Sequence, residues 1–198
     1  MIIGLTGSIA SGKSTVANML KEYNLPIVDA DLVARVVVEP GNPTLTKIVE
    51  AFGQEVITEK GEMDRAKVGS IIFHDESKRK VLNDIIHPAI RAEMLRQRDE
   101  HIAKGAKTVI MDIPLLFESK LQHYVEKILV VTVSEETQLK RLVERNHLSK
   151  EDALARISSQ LPLSEKEKGA DAVINNNGTI EQTRAQLEAI LRNWNIIK

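Results

Sequence analysis

The chain has 198 residues, 27 Lys plus Arg against 28 Asp plus Glu, and no cysteine. That length supports one well-buried core with insertions, and the balanced charge gives no overall field toward nucleic acid or an anionic membrane. Disulfides, thiolate catalysis and cysteine-based zinc sites are excluded. Arg35 breaks the apolar run from Leu32 to Val38, and no run approaches the ~20 residues of a membrane helix. The first strand begins at residue 2 without a basic flank, so no signal peptide is expected and the expected compartment is the cytoplasm.

Met1 to Thr6 is a short apolar run suited to a buried parallel strand. Gly7-Ser8-Ile9-Ala10-Ser11-Gly12-Lys13-Ser14-Thr15 follows, a full match to the phosphate-binding pattern G-x-x-x-x-G-K-[ST]. In such a loop Gly7 and Gly12 let successive backbone N–H groups converge on phosphate oxygens. Lys13 reaches the β- and γ-phosphates and the Ser14 hydroxyl ligates Mg²⁺. Residues from Thr15 to Glu22 read as a helix whose N-terminus faces those phosphates. Nucleotide triphosphate binding follows from the loop and its context, with residues 7–15 as the ATP-contacting set.

Leu25 to Asp29 is a second strand, Thr108 to Asp112 a third, Lys127 to Val133 a fourth and Ala172 to Asn175 a fifth. Continuous apolar strands alternating with helices predict a parallel five-stranded sheet flanked by helices. Thr179-x-x-Gln182 is a capping box that opens a final helix running to about Trp194. About 75 mostly helical residues separate the second and third strands, far more than one crossover needs. They are expected to form an inserted substrate-binding domain over residues 33–105, punctuated by Gly41-Asn42-Pro43, Gly53 and a helix boundary at His87-Pro88. Gln138 to Gly169 is charged and helical, with capping boxes expected at Ser149-x-x-Asp152 and Ser164-x-x-Glu167, and is expected to be a lid over residues 138–169. The core is then 1–32, 106–137 and 170–198, all within one unit.

Asp29 and Asp31 lie two apart at the end of the second strand and share a face if the strand continues. Strand carboxyl ends border the ligand crevice of open α/β sheets, where a carboxylate can orient and deprotonate an attacking hydroxyl. Alternatively Asp31 is a helix N-cap and Asp29 a turn residue. Asp112 ends the third strand, as a Mg²⁺-orienting acid or as a turn residue. Arg141 and Arg145 are four apart on one helix face, placed either to meet phosphate charge or as solvated surface arginines. Lys78-Arg79-Lys80 is a pyrophosphate contact or, more simply, a solvated helix face. The five histidines show no metal-ligand spacing.

The linked motifs resemble those of the dephospho-coenzyme A kinase family nearly end to end. They are Ile3-Gly4-Leu5-Thr6-Gly7 into the loop, Val28-Asp29-Ala30-Asp31-Leu32-Val33-Ala34-Arg35, Met63-Asp64-Arg65, Ile86-His87-Pro88 and Ile113-Pro114-Leu115-Leu116-Phe117-Glu118. The series Gln138-Leu139-x-Arg141-Leu142-x-x-Arg145, Arg156-Ile157 and Gln160 completes them; the one departure, Val68 for a frequent leucine, is a packing change. The resemblance implies Mg-ATP and dephospho-CoA as substrates, with no nucleic acid, membrane or obligate protein partner. It also implies Asp31 rather than Asp29 as base and Lys13, Arg141 and Arg145 as catalytic cations. Arg65 and His87 would lie in the dephospho-CoA domain and Pro114 and Leu115 beside the reacting centre; Asp112 counts for less in the family than its strand-end position suggests, and is kept with Ser14 as a metal-orienting residue. The alternatives are a nucleoside or nucleoside-monophosphate kinase, which shares this architecture, and a nucleotide-dependent switch. Against the switch, neither an Asn-Lys-x-Asp nor an Asp-x-x-Gly guanine-nucleotide motif occurs.

Overall fold

The computed structural model describes residues Met1–Lys198 and divides into two compact units. The first comprises Met1–Val28 and His101–Lys198, and the second Asp29–Glu100. Five strands, β1 (Ile2–Gly7), β2 (Ile27–Asp29), β3 (Val109–Asp112), β4 (Lys127–Thr132) and β5 (Ala172–Asn175), make one sheet in the order β2-β3-β1-β4-β5. The pairs β1–β3, β1–β4 and β4–β5 are all parallel, as the unbroken apolar strands require. β1 is central, and its register sets Leu5 against both Asp112 and Leu129. The carboxyl ends of β1 and β3 therefore finish side by side.

Helices α1 (Lys13–Glu22) and α9 (Ile180–Asn193) cover the sheet. Val16, Ala17, Met19 and Leu20 of α1 join Ile3, Leu5, Ile110, Leu129, Val131, Ile174, Leu187 and Leu191 in one buried cluster. Thr179 caps α9 as the sequence predicts: its hydroxyl accepts the Gln182 N–H and the Gln182 side chain accepts the Thr179 N–H, at 3.2 and 2.9 Å. The first unit also holds α6 (Glu135–Asn146), α7 (Lys150–Ser158) and α8 (Leu163–Lys168), between β4 and β5. No helix is long and apolar enough to cross a membrane.

The second unit is helical: α2 (Ala30–Val36), α3 (Pro43–Phe52), a 3₁₀ turn at Gln54–Val56, α4 (Arg65–Phe73) and most of α5 (Glu76–Ala103). Asn42 caps α3 with Pro43 at its first position, and Asp64 caps α4 through the Lys67 N–H.

Four local expectations are corrected. β2 stops at Asp29, whose carboxylate accepts the N–H groups of Asp31 (2.8 Å) and Leu32 (3.1 Å) and so caps α2. Asp29 and Asp31 therefore do not share a strand face, and the capping residue is Asp29. His87-Pro88 is not a helix boundary, because α5 runs through Pro88 for 28 residues. The proline removes one N–H donor, and buried Leu82 and Met94 on either side keep the helix whole. Ser164 caps nothing: α8 starts at Leu163 behind Pro162, and Glu167 Oε1 instead accepts the Thr132 hydroxyl at 2.5 Å. Ser149 caps α7 by accepting the Asp152 N–H at 3.0 Å, but the expected box does not close, because Asp152 Oδ2 accepts the Ser149 hydroxyl at 2.8 Å and not its backbone N–H.

Asp171, just before β5, ties the sheet edge. Its carboxylate accepts the Ile128 N–H at 2.8 Å and the Lys127 ammonium at 2.9 Å. Burial pushes its pKa up, but the Lys127 and Ile128 hydrogen bonds outweigh that and hold it below the ordinary value of 3.8. A depressed carboxylate stabilises the fold above its unfolded pKa, and that stabilisation fades as pH falls through the folded value. Asp171→Asn should therefore be less stable than the parent by about 1–2 kcal/mol at pH 7. The gap should close as pH falls below about 4, which urea unfolding from pH 7 to 2.5 would measure; a gap independent of pH would contradict the assignment.

Candidate active site

The loop between β1 and α1 runs from Gly7 to Gly12, and its conformation is forced at several points. Gly12 has φ 89°, and a Cβ there would lie 2.0 Å from Asn176 Nδ2, so glycine is required both by backbone and by space. A Cβ on Gly7 would meet Ser11 Oγ at 2.5 Å and the Val131 carbonyl at 2.9 Å. Ala10 is also left-handed, at φ 63°, with no glycine to absorb it.

Alternate carbonyls of the loop are taken by side chains from far along the chain. Lys166 Nζ donates to the Gly7 carbonyl (3.0 Å), Gln138 Nε2 to that of Ile9 (2.8 Å), and Asn176 Nδ2 to that of Ser11 (2.9 Å). The Ile9 N–H donates to Gln160 Oε1 at 2.8 Å. Lys166 is fully buried and pairs with Glu118 at 2.9 Å, and Glu118 also accepts the Leu161 N–H. Asn176 is fixed in turn by the Thr183 hydroxyl on its Oδ1 at 2.8 Å. The stretch 138–169 is thus tied to the loop near both of its ends. Ser11 Oγ is buried with no hydrogen-bond partner, an orphan polar atom inside a loop built for an anion.

Lys13 opens α1, and its ammonium is ion-paired with Asp112 Oδ1 at the end of β3. Lys13 keeps 19 % of its side chain exposed and Asp112 only 6 %, so neither charge is buried alone. The Ser14 hydroxyl beside them is exposed and has no protein partner. Ser14 and Asp112 offer oxygen donors only, the hard-ligand chemistry that Mg²⁺ takes, and no cluster of three or more His, Asp or Glu competes as a metal cage. That sparse set fits an ion that keeps several waters and binds largely through substrate phosphates.

The other expected residues are placed as follows. Arg141 is half-buried, donates from Nη2 to the Asn176 carbonyl at 2.9 Å, and brings Nη1 within 3.6 Å of the space beside Gly12. Arg145 is exposed in the last turn of α6 and bonds only its neighbour Asn146. The structure thus brings Arg141 to the loop and not Arg145. Pro114 accepts the buried Thr6 hydroxyl on its carbonyl at 3.0 Å, and Leu115 next to it is exposed. In the second unit, Asp31 lies in the first turn of α2 with its carboxylate exposed and unpartnered, while Asp29 is spent on capping. Arg65 is exposed at the start of α4. His87 lines an open groove of about 780 Å³ with Glu76, Ser77, Arg79, Lys80, Asn83 and Asp84. The neighbouring basic run is committed: Lys78 pairs with Asp75, Lys80 with Asp84, and Arg79 holds the last carbonyls of α4.

A family model described as dephospho-CoA kinase matches residues 1–182. The chain belongs to the dephospho-CoA kinase family. A family member from Bacillus cereus (strain ATCC 10987 / NRS 248), named dephospho-CoA kinase, is 58% identical over 197 residues, covering 100% of this chain and 98% of its own. Another, from Geobacillus kaustophilus, is 54% identical over 198 residues with the same coverage. Among solved structures, a dephospho-CoA kinase from Campylobacter jejuni superposes with a TM-score of 0.75 at 31% identity, covering 98% of this chain and 96% of that one. A Thermus thermophilus structure reaches 0.80 at 34% identity, covering 98% and 97%.

Lys166 and Asn176 were not singled out from the sequence. Lys166 sits in the charged run Ser164–Lys168, which gives no local signal of burial. The left-handed Ala10 gives a stability test. Ala10→Gly removes a Cβ from a conformation that disfavours it, and should raise unfolding free energy by about 0.5–1 kcal/mol. A higher urea midpoint at unchanged slope is the expected result, and a lower midpoint would show that the loop relaxes to another backbone in solution.

Proposed function

We propose that this chain transfers the γ-phosphoryl group of ATP to the ribose 3′-hydroxyl of dephospho-CoA, giving coenzyme A and ADP, as a cytoplasmic enzyme. The observation that carries this reading is the complete phosphate loop, seated and holding Lys13, in a chain whose family match spans residues 1–182.

Lys13 exchanges the Asp112 carboxylate for the β- and γ-phosphate oxygens when the triphosphate binds, joined by the amides of Ala10 and of residues 12–14 and by the Ser11 hydroxyl. Ser14 and Asp112 are the residues that would hold Mg²⁺, which when bound supplies charge neutralisation on the phosphates. Asp31 orients the 3′-hydroxyl and takes its proton as the oxygen attacks the γ-phosphorus. The β,γ-bridging oxygen leaves with ADP. Arg141 stabilises the charge spreading over the transferring group, and Arg145, one turn further along α6, is the second cation of that arm. The Asp29–Glu100 unit holds dephospho-CoA, with Arg65 and His87 as its contacts and Pro114 and Leu115 shaping the acceptor side. Because the transition state is loose, positioning and charge neutralisation outweigh proton abstraction.

The direct test is ADP release with Mg-ATP, with and without dephospho-CoA, and a product mass increased by one phosphoryl group. Turnover that requires dephospho-CoA and is absent with adenosine or AMP is expected. Activity only on a nucleoside or nucleotide would discard the acceptor, and no turnover on any acceptor would discard the enzyme. Asp31→Asn should lower kcat by roughly 10²–10⁴-fold while KM for ATP stays within about twofold. Equal losses in ATP affinity and turnover would remove Asp31 from the base role.

A further inference from the structure

Ile9 is the only loop residue whose backbone N–H and carbonyl are both engaged by side chains. Gln138, in the first turn of α6 and 3% exposed, donates to its carbonyl, and Gln160, two residues beyond α7, accepts from its N–H. The two glutamines bracket the arm formed by α6 and α7, which pack on each other. Both ends of that arm therefore close on a single residue of the phosphate loop. Gln138 lies three residues before Arg141 on the same helix face, and Arg141 is the arginine found beside Gly12.

The chemistry of the two side chains narrows what they do. Neither carries charge, so neither neutralises phosphate. The two carbonyls that flank Ile9 along the loop, at Gly7 and Ser11, are held by Lys166 and Asn176, which anchor the loop to α8 and to the end of β5. The Ile9 contacts are the ones that connect the loop to the arm. An amide side chain suits that position because it offers a donor for one contact and an acceptor for the other. We infer that Gln138 and Gln160 are positioning residues of the phosphoryl-transfer site: by gripping Ile9 from both ends of the α6–α7 arm they lock arm and phosphate loop together and fix where Arg141 stands against the triphosphate. This rests on the phosphotransfer reading above and adds to it two residues that act through Ile9 and Arg141.

The two grips close a ring through Ile9, α6 and α7, so losing either opens that ring and losing the second adds little. That is the property to measure. Gln138→Met and Gln160→Met conserve volume while removing the donor and the acceptor, which keeps buried position 138 filled. Each single variant should weaken ATP binding, measured by calorimetry without any acceptor, by about tenfold. Each should lower kcat by a similar factor with KM for dephospho-CoA unchanged. The double variant should be no more than about threefold worse than the weaker single one. Multiplied losses, on the order of a hundredfold in the double variant, would show two independent structural contacts and overturn the proposal. So would unchanged ATP binding in folded single variants. If the parent binds ATP but does not phosphorylate dephospho-CoA, the acceptor assignment fails, and the non-additivity in ATP binding still decides the clamp.

Discussion

A backbone loop that turns its N–H groups toward an anion leaves carbonyl groups facing the protein, and each of those must find a donor. Here that obligation falls on Gly7, Ile9 and Ser11, and it is met by Lys166, Gln138 and Asn176. The donors lie 159, 129 and 165 residues downstream of their acceptors. The loop is encoded in the first fifteen residues, yet its shape is held from the last third of the chain. A phosphate loop cut loose from α6, α8 and the end of β5 would retain its glycines and its lysine without the partners that set their geometry. An ammonium at Gly7 is the most expensive of the three donors to bury. Its pairing with Glu118, itself bonded to the Leu161 N–H, offsets that burial and ties the loop after β3 to the chain beyond α7.

The parts legible in the sequence are those whose causes are local. The phosphate loop, the five strands and the Thr179–Gln182 capping box each follow from residues within a few positions of one another, and each appears where expected. The misreadings share an origin in long-range packing. A proline signals a helix boundary through its own missing donor, but α5 is held on both sides of Pro88 by Leu82 and Met94, whose burial no local rule reports. Ser164-x-x-Glu167 has the letters of a cap, but Pro162 starts the helix one residue too early and Thr132 claims the glutamate. Lys166 was invisible for the same reason. Its neighbours Glu165 and Lys168 form an exposed pair, and only tertiary structure reveals that the lysine between them points inward.

Asp29, the last residue of β2, and Asp31 in the first turn of α2 show how a fold separates two acids that spacing leaves alike. The first is taken by the helix it precedes, its oxygen accepting two N–H groups of the opening turn of α2. The second has nothing to hold and remains exposed to solvent. A carboxylate engaged in capping gives up stabilisation if it moves or accepts a proton, so the short strand and early helix start commit Asp29 and leave Asp31 uncommitted. Lys13 and Asp112 show the complementary case. Two opposite charges share the space at the carboxyl ends of β1 and β3, each compensating the other.

Asn176 extends the same logic to the arginines. Its amide nitrogen takes the Ser11 carbonyl, its amide oxygen accepts the Thr183 hydroxyl from α9, and its own backbone carbonyl accepts Arg141. One buried residue thus fixes the loop and the guanidinium together, and Thr183 fixes its orientation. An aspartate at this position would keep the contact to Thr183 and lose the donor to Ser11, so the two ends of the amide are not interchangeable. Four residues on from Arg141, Arg145 has no such anchor and bonds only the adjacent Asn146. Two arginines equivalent by helical spacing are therefore unequal in structure, and the difference comes from what lies at the end of β5 rather than from anything in α6.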